Sequence, residues 1–113
     1  MTTLSNQTDT HTKAKLFRGL ADGSRLAVLQ SLRHDPRCVS EIVELTGLSQ
    51  SNVSSHLACL RDCGLVEREA RGRFAYYSIA NDDVRAVLDA AEAVLIRVGE
   101  FVDQCENYEG PLK

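Results

Sequence analysis

A short turn, from Gly47 to Ser49, separates two segments that each carry apolar side chains at helical spacing. The first segment covers about residues 39–46, and Gly47 is well placed to end it in the left-handed conformation. Ser49 is a suitable N-cap for the second segment. The apolar stripe of this second helix consists of Val53, Leu57 and Leu60. Two helices joined by so short a turn are typical of a helix-turn-helix.

The second of these helices is polar on the side away from its apolar stripe. At about 100° per residue, the serines lie opposite the stripe, and an asparagine and a histidine lie at its border. Small hydroxyl and amide groups can approach base edges and phosphates closely. We therefore expect this recognition helix to bind double-stranded DNA. The predicted contact residues are Ser51, Asn52, Ser54, Ser55 and His56.

A β-hairpin is predicted directly after the recognition helix. Two strand-like segments, residues 67–70 and 74–79, flank the turn Arg71-Gly72-Arg73. A hairpin with two arginines at its tip suits a wing that touches the phosphate backbone or the minor groove. The alternative is that both arginines are ordinary surface charges. The position of the turn beside the recognition helix favours DNA contact for Arg71 and Arg73.

The remainder of the chain is predicted to be helical. Asp22 can cap one helix, and residues 82–104 carry a sustained apolar stripe that needs a partner, which favours a homodimer. The expected fold class is therefore mainly α with a small β-hairpin, a winged helix-turn-helix. We expect a flexible polar tail over residues 1–12, a DNA-binding and dimerisation domain over residues 13–104, and a C-terminal tail over residues 105–113.

The net charge of −3 is concentrated near the C-terminal end. Residues 80–113 hold three basic and eight acidic side chains, whereas the rest of the chain is mildly basic. A dimer can therefore turn its basic face to DNA and its acidic part away. No apolar run approaches the ~18 residues of a membrane span, and the polar start is unlike a signal peptide, so we expect a cytoplasmic protein with no membrane partner.

An enzyme is not expected. The sequence holds no Cys-x-x-Cys motif and no nucleophile placed beside a general base. A thiol enzyme is therefore the weakest of the functions that the cysteines permit.

Two thiols, Cys59 and Cys63, lie four residues apart at the end of the predicted recognition helix. Their Cβ atoms should lie about 5–6 Å apart, close enough for both sulfurs to reach one soft metal ion. The alternative is that both cysteines are small packing residues. In a reducing compartment free thiols, ligands and redox groups are more common than structural disulfides. One helix could thus both read DNA and hold a metal.

The order of elements and four sequence motifs resemble the ArsR/SmtB family of winged-helix repressors. The resemblance covers about residues 13–104. It rests on Leu20-Ala-Asp-Gly-Ser-Arg25, Leu48-Ser-Gln-Ser-Asn-Val-Ser-Ser-His-Leu57, Gly64-Leu-Val66 and Arg71-Gly-Arg-Phe-Ala-Tyr-Tyr77. This resemblance implies a homodimer that binds an inverted-repeat operator when it is metal-free and leaves the operator when metal binds.

The metal sites of this family occupy different places, and the residues decide between them. A site on the third helix needs a Cys-x-Cys pair, which Cys38 does not form, and a zinc site on the last helix needs histidines, which residues 82–104 lack. What remains resembles the cadmium/lead sensors of the CmtR type. In those proteins two cysteines of the recognition helix join a third near the C-terminus of the partner. The resemblance implies the ligands Cys59, Cys63 and Cys105.

Three thiolates suit Cd(II) and Pb(II) as inducers, with Zn(II) a weaker candidate because it prefers four ligands. Arsenite also fits three sulfurs, and a redox switch of the same thiols is a further alternative. His56 is expected to contact DNA or form a local structural bond rather than ligate. Packing is a serious alternative for Cys105, in which case His56 or a carboxylate such as Asp103 or Glu106 becomes the better ligand. Cys38, His11 and His34 are not expected to ligate.

Overall fold

The computed structural model describes residues 6–108, which form five α-helices and one β-hairpin. A single 3-10 turn, Glu106–Tyr108, follows the last helix. The elements in chain order are α1 (Asn6–Leu20), α2 (Gly23–Ser31), α3 (Val39–Thr46), α4 (Gln50–Asp62), β1 (Val66–Arg71), β2 (Phe74–Ile79) and α5 (Asp82–Gln104). The predicted fold class, a winged helix-turn-helix, is confirmed.

The helix-turn-helix forms at the predicted residues. Gly47 ends α3 with a φ of 74°, in the left-handed region that favours glycine. The Ser49 hydroxyl accepts a hydrogen bond from the backbone N–H of Asn52 at 3.1 Å and so caps α4. These local bonds fix where the two helices begin and end.

One hydrophobic core lies between α2, α3, α4 and the base of the hairpin. The predicted stripe of α4 is completely buried in it, as are Val28 and Leu29 of α2. The buried core consists of Val28, Leu29, Leu32, Ile42, Val53, Leu57, Leu60, Val66, Ile79 and Leu88. Burial of these side chains holds α4 rigidly against the rest of the protomer, with its polar side outward.

The hairpin has a shorter loop than predicted. Arg71 pairs with Phe74, so Arg71 belongs to β1 and the loop consists of Gly72 and Arg73 alone. A two-residue loop needs positive φ, and Gly72 supplies it at 61°. The hairpin is also attached to the loop before α3, because the backbones of Arg37 and Tyr77 exchange two hydrogen bonds of 2.9 and 2.8 Å.

Helix α1 begins earlier than predicted. The polar tail was expected to reach residue 12, but the structure places Asn6–Leu20 in one helix. Polar residues extend the helix because an exposed helix needs no apolar face there, and Asp9 forms an i,i+4 ion pair with Lys13 at 2.8 Å. The remaining parts of the two predicted tails, residues 1–5 and 109–113, lie outside the described residues.

Helix α5 packs on the core only near its beginning. Leu88 is buried, but the apolar residues of the second half are exposed. These exposed residues are Val94, Leu95, Ile96, Val98, Phe101 and Val102. Ion pairs of Arg33 with Asp89 and Glu92 fasten the helix to the end of α2. Among residues 6–108, no helix is long and apolar enough to cross a membrane.

Candidate DNA-binding and metal-binding site

The polar side of α4 is open to solvent. Four of the five predicted contact residues on this helix are exposed, namely Ser51, Asn52, Ser54 and Ser55. Their shared exposure follows from the burial of Val53, Leu57 and Leu60 on the other side of the helix. The N-terminal end of α4 therefore presents hydroxyl and amide groups without any large apolar side chain among them.

His56 is only half-buried, unlike the exposed serines of the same helix. Asp22 caps α2 by accepting a hydrogen bond from the backbone N–H of Arg25 at 3.0 Å. That bond, together with the positive charges of Arg25 and His56, lowers the pKa of the Asp22 carboxyl. His56 therefore lies within electrostatic range of Asp22.

The wing loop lies beside the beginning of α4. Arg73 and Gln50 line the same cavity of about 370 Å³, with Cys38 on another wall. Both predicted wing arginines are exposed. The loop and the polar end of α4 thus form one continuous surface on which phosphates and base edges can be contacted together.

Cys59 is half-buried on the side of α4 that faces the junction of α1 and α2. Its sulfur lies 4.0 Å from Nη1 of Arg25. The same guanidinium donates from Nε to the carbonyl oxygen of Gly19 at 2.7 Å. No role for Arg25 could be predicted from the sequence, because a contact across 34 residues leaves no mark on local periodicity.

Cys63 ends α4 and is exposed. It lines an apolar groove of about 420 Å³ together with Leu65 and residues of α1. The α1 residues of this groove are Thr12, Lys13, Lys15, Leu16 and Gly19. Gly19 therefore borders the groove of Cys63 and also holds the arginine that contacts Cys59. Cys63 therefore lies beside the C-terminal half of α1, and Cys59 is linked to the same part of α1 through Arg25.

Cys105 follows the last residue of α5 and is half-buried. Its sulfur contacts Nδ2 of Asn107 at 3.6 Å. Within the described part of a single chain, no three side chains of cysteine, histidine, aspartate or glutamate come together in a group that could hold a metal. Within residues 6–108 of one protomer, Cys105 therefore does not complete a three-ligand group with Cys59 and Cys63.

Cys38 lies elsewhere in the molecule. It is buried at the N-cap of α3, where its sulfur contacts the Ser40 hydroxyl at 3.2 Å. His11 and His34 are exposed, as predicted.

Known proteins share this sequence and this architecture. The sequence model described as "Bacterial regulatory protein, arsR family" matches residues 22–68. A probable mercury resistance operon repressor from Streptomyces lividans is 36% identical over 99 residues, which are 88% of this chain and 79% of that protein. The transcriptional regulator CmtR of Mycobacterium tuberculosis is 36% identical over 85 residues, 75% of this chain and 72% of that protein.

Solved structures agree with the fold. Rv0081 of Mycobacterium tuberculosis has a TM-score of 0.74 and 36% identity, over 80% of this chain and 92% of that one. The homodimeric winged helix-turn-helix domain of Mb0332 from Mycobacterium bovis has a TM-score of 0.71 and 28% identity, over 96% of this chain and 100% of that one. The relatives and neighbours are transcriptional regulators and not enzymes. The chain therefore belongs to the arsR family of bacterial regulatory proteins, and it is a DNA-binding transcriptional repressor with the winged helix-turn-helix fold.

Proposed function

We propose that this protein is a homodimeric metal-responsive repressor. It binds an inverted-repeat operator when metal-free, and it leaves the operator when Cd(II) or Pb(II) is bound by Cys59, Cys63 and Cys105. The observation that carries the proposal is that the thiol end of α4 is connected to α1, through the groove of Cys63 and through the Arg25 link between Cys59 and Gly19, while the exposed polar residues lie at the other end of the same helix. A metal held at one end of α4 acts on a rigid body whose other end reads DNA.

Dimerisation is supported by an apolar surface that one chain does not cover. The second half of α5 leaves Val94, Leu95 and Phe101 about half exposed or more, and Phe17 of α1 is 59% exposed. Soluble monomers rarely leave so many large apolar side chains together in water. The neighbouring structure of Mb0332 is homodimeric, and it covers nearly the whole of this chain.

The third thiol is proposed to come from the partner. Cys105 does not join the α4 pair within the described part of one chain, and the groove beside Cys63 is open. The groove has an apolar floor and carries Lys13 and Lys15 at its edge. The end of α5 complements this groove in both polarity and charge. Phe101 is exposed, and the carboxylates of Asp103 and Glu106 lie on either side of Cys105 in the sequence.

The energy available at such a site exceeds what release requires. Weakening operator affinity about a hundredfold takes about 2.7 kcal/mol. Structural thiolate sites bind metal with about 10–16 kcal/mol. A small part of that binding energy, used to tilt α4, is therefore enough. Because coupling between binding sites is reciprocal, operator DNA must weaken metal binding by the same factor.

Soft ions are the proposed inducers because the ligands are thiolates. Three sulfurs without a fourth ligand favour Cd(II) and Pb(II) over Zn(II), whose usual site is tetrahedral. Relatives are named for mercury resistance and arsenical resistance, so Hg(II) and arsenite belong in the same test. A redox switch is the second candidate, because the exposed Cys63 and the half-buried Cys59 lie one turn apart on α4.

Titration of the reduced protein with each ion tests the proposal. Cd(II) and Pb(II) should give thiolate-to-metal absorption and should release a labelled operator at stoichiometric metal. Cys59→Ser, Cys63→Ser and Cys105→Ser should each abolish this release but keep operator binding, whereas Cys38→Ser, the matched control, should respond like the wild type. If Cys105→Ser keeps wild-type affinity and release, the three-thiolate site is wrong. Release by peroxide but not by any metal would favour the redox switch.

A further inference from the structure

Arg25 joins three helices at the proposed metal site. Its backbone N–H donates to the Asp22 carboxylate at 3.0 Å at the start of α2, and its Nε donates to the Gly19 carbonyl at 2.7 Å at the end of α1. Its Nη1 is directed at α4, where it lies 4.0 Å from the sulfur of Cys59. The side chain is half-buried, so its position is defined by these contacts.

The contact with the sulfur is weak in the metal-free protein. A thiol sulfur is a poor acceptor, and 4.0 Å is a long separation for a hydrogen bond of this kind. A metal-bound cysteine sulfur carries negative charge, and hydrogen bonds from a guanidinium to a charged acceptor are about twice as strong as neutral ones. The Arg25–Cys59 bond therefore gains strength only in the metal-bound state.

We propose that Arg25 is a positioning residue of the metal site, which acts through Cys59 and links the site to α1. This inference rests on the proposed thiolate site. Arg25 donates to the metal-bound sulfur, holds it toward the groove of Cys63, and carries any displacement of that sulfur to Gly19. Groups that bond to metal ligands in this way orient those ligands, and their loss commonly weakens metal binding about 10–100-fold.

The link to α1 gives the contact a regulatory consequence. Gly19 borders the groove of Cys63 and lies close in sequence to Leu16 and Phe17, which belong to the exposed apolar surface proposed for dimerisation. A bond that is stronger in one state than in the other shifts the balance between the two states. Arg25 thus connects metal binding on α4 to the helix beside the partner.

Arg85 provides a matched control elsewhere in the molecule. Its Nε also donates to a backbone carbonyl, that of Arg33 at 2.8 Å, and its Nη1 also donates to a side chain, Asp82 at 2.8 Å. Arg85 is likewise half-buried. The two arginines therefore resemble each other in geometry and burial, but only Arg25 contacts a thiol.

The experiment compares Arg25→Gln and Arg25→Lys with Arg85→Gln and Arg85→Lys. Cd(II) affinity is measured by competition with a chelator, and the environment of the bound ion by cadmium NMR, both well below the melting temperature of each variant. Arg25→Gln should weaken Cd(II) binding about tenfold or more and move the cadmium resonance. Arg25→Lys should lose part of the affinity, because one ammonium group cannot replace both arms of the guanidinium. Both Arg85 variants should stay within about threefold of the wild type.

The outcomes separate the two proposals. If Arg25→Gln lowers only the melting temperature and matches Arg85→Gln in Cd(II) affinity and resonance, Arg25 is structural and the inference is wrong while the thiolate site stands. If Arg25→Gln does not fold, the same comparison between Arg25→Lys and Arg85→Lys decides. If the wild type shows no thiolate-to-cadmium absorption, the proposed function and the inference both fail.

Discussion

The guanidinium carbon of Arg71 lies 4.9 Å from the centroid of the Tyr76 ring, and the same side chain donates to Glu69 at 2.8 Å. Glu69 and Arg71 point to one side of β1, and Tyr76 is the cross-strand partner of Glu69. The aromatic ring holds the guanidinium in place while the carboxylate neutralises part of its charge. A phosphate that approaches the wing must therefore compete with Glu69 for Arg71.

Removal of the wing charges should weaken DNA binding without regard to sequence. Arg71→Ala and Arg73→Ala should each lower affinity for all duplexes and reduce the slope of log affinity against log salt by about 1, because one phosphate contact is lost. Glu69→Gln should have the opposite effect on affinity, since Arg71 no longer has a competing anion. Arg68→Ala is the control, because Arg68 points to the other side of the same strand. If the slope of log affinity against log salt is unchanged in both Arg71→Ala and Arg73→Ala, the hairpin is not a wing that contacts DNA phosphates.

Asn52 should affect discrimination between sequences more than affinity. Its side chain is exposed on the polar side of α4, while its backbone N–H is occupied by the Ser49 cap. Asn52→Ala should therefore leave the helix intact. The difference between the binding free energies for the operator and for a random duplex should shrink by about 1–3 kcal/mol. Equal losses on both duplexes in a fluorescence titration would show that Asn52 makes no base contact.

Val98 should be part of the dimer interface, and Ile96 should not. The two residues lie about 200° apart around α5, with Val98 on the predicted apolar stripe. Val98→Asp should produce monomers at micromolar concentration and loss of operator binding, whereas Ile96→Asp should stay dimeric. In one protomer Ile96 is 82% exposed and Val98 only 36%. If the chains associated non-specifically through exposed apolar surface, Ile96→Asp would therefore disrupt association more than Val98→Asp. Sedimentation of the two variants distinguishes these alternatives.

A mixed dimer should show whether the metal site is shared between protomers. Protomers that carry Cys59→Ser and Cys63→Ser lack the helix pair, and Cys105→Ser protomers lack the tail thiol. If each site takes its third ligand from the partner, a heterodimer of the two has one intact site and should bind one Cd(II). Each homodimer should bind none with wild-type affinity. If the heterodimer binds Cd(II) no more tightly than either homodimer, the site is not shared in this way. Either all three ligands then come from one chain, or another residue takes the place of Cys105.

Asp22 should make the stability of the protein depend on pH in the acid range. Its carboxyl pKa is lowered, first by the backbone N–H of Arg25, so its contribution is complete above the ordinary aspartate pKa and is lost as pH falls through the lowered value. Asp22→Ala should cost about 1 kcal/mol at neutral pH and progressively less in acid. Asn81 caps α5 with an equivalent hydrogen bond, accepting from the backbone N–H of Val84 at 3.0 Å, but does not titrate. Asn81→Ala should therefore cost a similar amount at every pH.

That comparison needs a fixed protein concentration, because the stability of a dimer depends on concentration. Urea unfolding of both variants and the wild type between neutral pH and pH 3 supplies the measurement. A constant cost for Asp22→Ala across this range would show that the carboxylate does not contribute through its charge.

The sequence by itself determined the local structure of this protein. Gly47 ends α3 in the left-handed conformation, and Ser49 caps α4. Both effects depend only on residues within a few positions along the chain, so the sequence is enough to predict them. The burial of Val53, Leu57 and Leu60 and the exposure of the serines followed from one helical period. The spacing of one turn predicts that the two α4 thiols lie on one side of the helix.

Only the tertiary structure decided which distant groups meet. Arg25 and Cys59 are brought together by the packing of α2 on α4, and no periodicity within either helix encodes that crossing. The place of Arg71 in β1 also depended on the register of the two strands. Helix α5 is buried at Leu88, near its beginning, and Cys105 beyond its other end forms no metal-binding group of three with the α4 thiols within residues 6–108. Local chemistry fixes helices, caps and faces, whereas relative positions of elements depend on how their buried surfaces fit together.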